Sequence, residues 1–97
     1  MKFSISTTAS DYIKQKGGEI IIFKGSRSLG GCTGASIPTP MMKVGHPNRP
    51  LENYQLLKET GVTIYLANEL LNYQGTAKID LDKILFWKSL SFDYLKE

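Results

Sequence analysis

Apolar and polar positions change period several times along this chain, and each change marks an element. In KFSIS, Phe3 and Ile5 alternate with polar neighbours, which predicts a strand over residues 2–6. In TASDYIKQKGG the spacing lengthens. Ala9, Tyr12 and Ile13 fall on one helical face, predicting a short helix over residues 9–16. Thr8, with Asp11 three positions on, fits a capping box that satisfies free N–H groups, and Gly17 supplies the stop. EIIIFK is β-branched and continuously apolar, as a buried strand over residues 19–24 requires. SIPTPMMKVG reads as extended chain at a sheet edge, because Pro38 and Pro40 have no N–H to give to a ladder.

The second half is more regular. In YQLLKETGVTIYLA, Thr60-Gly61 separates two strand-like runs, and Val62, Ile64 and Leu66 alternate, which predicts a hairpin. NELLNYQG predicts a second short helix, with Asn68 as cap, Leu70 and Leu71 pointing inward and Gly75 as the close. AKIDLDKILFWKSLSF alternates around Ile79, Leu81, Ile84 and Phe86, predicting a final strand or hairpin. The apolar positions of 62–66 and 79–81, with Ile20 and Ile22, are expected on the inner face of one sheet. The order gives an α+β domain, mainly β with two short helices. There is no repeat, linker or low-complexity tract, so residues 1–97 are expected to form a single domain.

Composition narrows the partners. The chain has 97 residues, 41% of them hydrophobic, enough for one core. Its net charge of +3 is uneven: residues 1–50 carry +5 and residues 51–97 carry −2. The basic residues are dispersed, which fits solubility and some bias toward anionic partners, and not nucleic-acid binding. No apolar run approaches the roughly 20 residues that span a bilayer, and no signal-peptide pattern opens the chain. A single cysteine excludes an intramolecular disulfide framework. The expectation is a cytoplasmic protein in a reducing compartment, with no membrane partner.

That cysteine carries the candidate chemistry. Cys32 sits in KGSRSLGGCTGASIPTP, between Gly30-Gly31 and Thr33-Gly34. Glycines let the backbone approach a ligand closely and aim N–H groups at a charged sulfur, and Lys24 and Arg27 nearby favour the thiolate. A thiolate is both nucleophile and metal ligand. The competing reading makes Cys32 a small buried hydrophobe. Paired glycines disfavour a strand, so residues 30–34 are expected to form a turn-rich loop with Cys32 at or near the surface.

Three stretches resemble the HesB-like, or A-type iron–sulfur carrier, family. ISTTASDYIKQK is similar to its opening strand and helix. GGCTG stands where that family has Gly-Cys-Ser-Gly. TGVTIYLANELLNYQGTAKIDL is similar to its hairpin, short helix and Tyr-x-Gly-Thr turn. The resemblance implies a HesB-like fold and a role in iron–sulfur cluster assembly or carriage, with Cys32 as cofactor and metal ligand. The chain departs from the pattern at its end. SFDYLKE lacks the Cys-Gly-Cys motif whose thiolates complete the family's site, so one ligand position is transferred and two are empty. It is also similar to a divergent HesB-related branch of small bacterial proteins, some carrying selenocysteine.

Clusters usually take four protein ligands, so one thiolate per chain implies iron or a cluster shared between chains of a homodimer. The resemblance implies iron–sulfur assembly proteins as partners. Two other readings stay open: a thiol-redox protein with a lone reactive cysteine, and a structural or interaction module that has lost the metal site. His46 precedes Pro47 in a turn and reads as a polar loop residue rather than a ligand. GSRSLGG lacks the Gly-Lys-Ser/Thr ending of a phosphate loop, and Asp80 and Asp82 read as the solvated side of a strand. Trp87, Phe86, Phe92, Tyr94 and Leu95 read as core or partner surface. No acid, base and nucleophile stand at a recognisable spacing, so no catalytic residue is assigned and no turnover is expected.

Overall fold

Ile20-Ile21-Ile22 forms strand because three β-branched side chains in a row crowd a helix and suit a pleated surface. This run lies in β2 (Glu19–Ser28), which follows β1 (Lys2–Ile5) and α1 (Thr7–Gln15). The chain continues through β3 (Ser36–Val44), β4 (Tyr54–Glu59), β5 (Val62–Ala67), β6 (Gly75–Ile84) and β7 (Trp87–Lys96). The structure is a computed structural model and describes residues 1–28, 36–84 and 87–96.

The strands form two sheets, one in the order β3-β2-β5-β4 and one in the order β1-β6-β7. β2 runs antiparallel to β3 and parallel to β5, and hairpins join β4 to β5 and β6 to β7. The expected single inner face is therefore shared between two sheets. Ile20, Ile22, Val62, Ile64 and Leu66 line the four-stranded sheet, and Ile79 comes from the three-stranded one. Ala9 and Ile13 of α1 and Leu70 close the core with them.

Among the described residues there is one α-helix, so the expectation of an α+β fold with two short helices is corrected to a mainly β fold with one. Asn68–Leu70 makes a single 3-10 turn, and Asn68 does not cap it: the side-chain amide donates to the Glu52 carbonyl instead. Leu70 is fully buried, but Leu71 is 44% exposed. Two leucines in a row cannot both face inward on a turn anchored by one of them. The cap of α1 also differs from the expected Thr8 box. Ser6 is the N-cap and its Oγ accepts from the Ala9 N–H, which starts the helix two residues early. Gly17, at φ 113°, ends it as expected.

The β4–β5 turn holds both Thr60 (φ 49°) and Gly61 (φ 81°) in the left-handed region, the geometry of a type I′ hairpin. Thr60 is β-branched there and strained. Thr60→Asn is expected to raise the melting temperature by a few degrees, from about 0.5 kcal/mol of relieved strain, net of the lost hydrogen bond from Thr60 Oγ1 to the Glu59 carbonyl. A thermal melt followed by circular dichroism reads this directly. An unchanged or lower midpoint would mean that the hydroxyl contact outweighs the strain.

Candidate functional site

β2 runs four residues beyond the expected end at position 24, because its antiparallel pairing with β3 continues from Ile20↔Val44 to Ser28↔Ser36. The ladder holds Gly25 opposite Thr39 and carries it as strand, so the first glycine of the glycine-rich stretch does not break the sheet. Residues 29–35 connect the paired ends Ser28 and Ser36. Cys32 belongs to this connection and lies outside the described residues, as does the expectation for residues 30–34. Lys24 is exposed midway along β2, opposite Pro40.

At the opposite end of β2 a polar cluster appears that the sequence does not reveal. Tyr65 Oη donates to Glu19 Oε1 at 2.7 Å. His46 Nδ1 lies 3.3 Å from the same oxygen and 3.4 Å from Tyr65 Oη. The rings of His46 and Tyr65 meet edge-on at 5.4 Å, and Tyr54 meets Tyr65 in the same way at 6.3 Å. Tyr65 is 8% exposed, whereas the side chains of Glu19 and His46 are 33% and 58% exposed. The parallel pairing of Glu19 with Thr63 and Ile21 with Tyr65 brings phenol and carboxylate to one face. Gly45, at φ 137°, donates its N–H to the Glu19 carbonyl and turns His46 onto that face.

The segment after His46 covers the same outer face. Pro47 is buried, and Arg49 and Asn53 line a recess of about 240 Å³ with Phe23, Tyr54, Ala67, Asn68 and Glu69. This cover explains why β5 is buried on both faces. At about 3.3 Å per residue, the ten residues of β2 separate the Glu19 cluster from the Ser28 end by about 30 Å. His46 therefore stands at the end of the β2–β3 hairpin opposite the paired residues Ser28 and Ser36.

Hydrogen bonds set the electrostatics of the cluster. The Tyr65 hydroxyl, then the His46 ring, hold the Glu19 carboxyl below its ordinary pKa. The Glu19 carboxylate, with some desolvation, pushes the Tyr65 phenol above its own. A carboxyl whose pKa is lower in the folded state adds stability above its unfolded pKa. That contribution is lost as pH falls through the folded value. For the phenol, whose folded pKa is raised, the contribution is full below the unfolded value and is lost as pH rises through the folded one. Tyr65→Phe is therefore expected to raise the Glu19 pKa and to flatten the acid limb of the stability profile. Side-chain NMR titration of Glu19 checks it, and an unmoved Glu19 would contradict the assigned cause.

Among the described residues no three side chains drawn from His, Cys, Asp and Glu come together as a metal site. Asp80 is half-buried and Asp82 exposed, in agreement with a solvated strand face. Trp87 and Leu95 are 75% and 58% exposed, Phe92 packs against the core, and Phe86 lies outside the described residues. No described helix is long and apolar enough to cross a membrane.

The sequence profile of the CC/Se motif containing family matches residues 1–95. The chain belongs to that family. No curated protein matches it in sequence. Among solved structures, this CC/Se family chain is similar to Escherichia coli SufA, a protein involved in biosynthesis of iron–sulfur clusters. The TM-score is 0.59 at 8% identity, covering 95% of this chain and 79% of SufA. At that identity the likeness is one of fold, and it is the HesB-like fold that the family resemblance implied. Within its CC/Se family the chain has one cysteine, with Gly31 and Thr33 on either side.

Proposed function

We propose that this chain is a non-catalytic carrier or scaffold in iron–sulfur cluster assembly, with Cys32 as its thiolate ligand and iron or a cluster as its cargo. The observation that carries the reading is the likeness over 95% of the chain to SufA, itself a protein of iron–sulfur cluster biosynthesis. The position of Cys32 supports it: the one thiol belongs to the seven-residue connection between two paired strand ends. A single thiolate falls short of the usual four ligands, so the cargo would be held between two copies of the chain, with small thiols or partner residues filling the other positions. Iron–sulfur assembly proteins would be the partners and the cytoplasm the setting.

Anaerobic reconstitution with iron and sulfide tests this. The expected result is a visible absorbance band with acid-labile sulfide, on a protein that migrates as a dimer. Rapid alkylation of Cys32 with no retained iron or sulfide would instead favour the lone reactive thiol. An inert Cys32 with no retained cargo would favour the interaction module.

A further inference from the structure

Three donor atoms of different chemistry converge at the start of β2: the carboxylate oxygen Glu19 Oε1, the imidazole nitrogen His46 Nδ1 and the phenol oxygen Tyr65 Oη. Their mutual separations are 2.7, 3.3 and 3.4 Å. Ligands about 2.0–2.1 Å from a tetrahedral zinc ion stand about 3.3–3.4 Å apart, and two of the three edges already have that length. A triangle with these sides has a circumradius of about 1.8 Å. A point about 1 Å out of its plane therefore lies about 2.1 Å from all three atoms, an ordinary zinc–nitrogen or zinc–oxygen distance.

We propose that Glu19, His46 and Tyr65 form a binding site for a zinc-class transition-metal dication, with a water in the fourth position. The site does not include Cys32, and the proposal does not rest on a cluster-carrying role for that residue. Mixed nitrogen and oxygen donors suit such an ion, and the exposure of Glu19 and His46 leaves an open side for the water and for entry. The buried Tyr65 is held from below by Tyr54 and by the strand pairing of β5, which fixes the phenol before any metal arrives. On binding, the Tyr65 O–H bond breaks and its proton passes to solvent, while the neutral His46 ring exchanges its Nδ1 proton for one on Nε2 through solvent. The phenolate oxygen and the freed Nδ1 lone pair then coordinate the ion in place of their hydrogen bonds to Glu19. The short 2.7 Å edge is the one that this proton holds together, so its loss lets that edge open toward the length of the other two. The absence, among the described residues, of a site built only from His, Cys, Asp and Glu is consistent with this, because the third ligand is a tyrosine.

The test uses the untagged full-length chain as Cys32→Ser, so that the thiol takes no part, and zinc sulfate by calorimetry in two buffers of different ionisation enthalpy. The expected result is one saturable zinc per chain with release of a proton, and no saturable binding of magnesium. Tyr65→Phe and His46→Ala in the same background are expected to weaken zinc binding at least ~10-fold each. His46 is largely exposed, so its variant should fold, and metal-free melting curves of both variants verify this. No saturable zinc binding by the Cys32→Ser protein would overturn the proposal, as would an unchanged affinity in either folded variant. Sulfide-dependent reconstitution on zinc-free protein is a separate readout, so failure of the cluster reading and failure of this one are told apart.

Discussion

Leu66→Asp is expected to leave the chain unfolded at room temperature. Leu66 is 3% exposed and sits in β5 with Val62 and Ile64 on the inner face of the four-stranded sheet, against Ile20 and Ile22 of β2. Truncating a buried leucine alone costs about 2–5 kcal/mol. An aspartate there would also have to bury its charge or take up a proton, at a further cost of a few kcal/mol. A domain of this size has about 5–15 kcal/mol in total, so the two losses together approach or exceed it. Leu56→Asp makes the matched control. Leu56 is on the neighbouring strand β4, opposite Tyr65 on the outer face, and is 57% exposed. That variant is expected to melt within a few degrees of the parent. Circular dichroism and a denaturant titration check both, and a cooperative, parent-like transition in Leu66→Asp would remove Leu66 from the core.

Elements whose signals are local are legible in the sequence. β1, the body of α1, the Thr60-Gly61 hairpin and the proline-bearing edge strand β3 each follow from a few adjacent residues. Pairing between distant segments is not. Nothing in EIIIFKGSRS says that Gly25 will be held in a ladder opposite Thr39, so local pattern alone stops the strand at 24. NELLNYQG has helical composition, but only three of its residues are helical, in a 3-10 turn. The buried Leu70 and the bond from Asn68 to Glu52 fix it tightly, and the chain must reach β6 by Gly75. That is tertiary packing overriding a weak local preference. The division of the core between two sheets is hidden for the same reason: alternation tells which side of a strand is apolar, but not which sheet the strand joins. The Glu19 cluster is the sharpest case. Its members are 27 and 46 positions from Glu19, and only the parallel β2–β5 pairing and the turn at Gly45 unite them. His46 reads as a loop residue because it is one. Its interest comes from where the loop lies.

Cys32→Ser is expected to abolish cluster loading completely while leaving the fold intact. The first half follows from ligand arithmetic. The chain has one cysteine, so a serine at 32 leaves no protein thiolate at all. A serine hydroxyl is a far weaker, harder ligand than a thiolate and does not ionise near neutral pH. The described mixed-donor cluster of Glu19, His46 and Tyr65 offers no sulfur to substitute: its donors are a carboxylate, an imidazole and a phenol. The second half rests on the size of the change and on the core, which among the described residues is already closed by α1, β2, β5, β6 and the turn at Leu70. The exchange of sulfur for oxygen is nearly isosteric, and the glycines on both sides of Cys32 give it few side-chain neighbours in sequence. The melting temperature is expected to shift by no more than a few degrees, while acid-labile sulfide and the visible band fall to background after anaerobic reconstitution. A Cys32→Ser protein that kept its sulfide would end the cluster reading, because no remaining group in the chain could hold the cluster as a thiolate. A variant that failed to fold would show instead that Cys32 is a packing residue, which its glycine setting argues against.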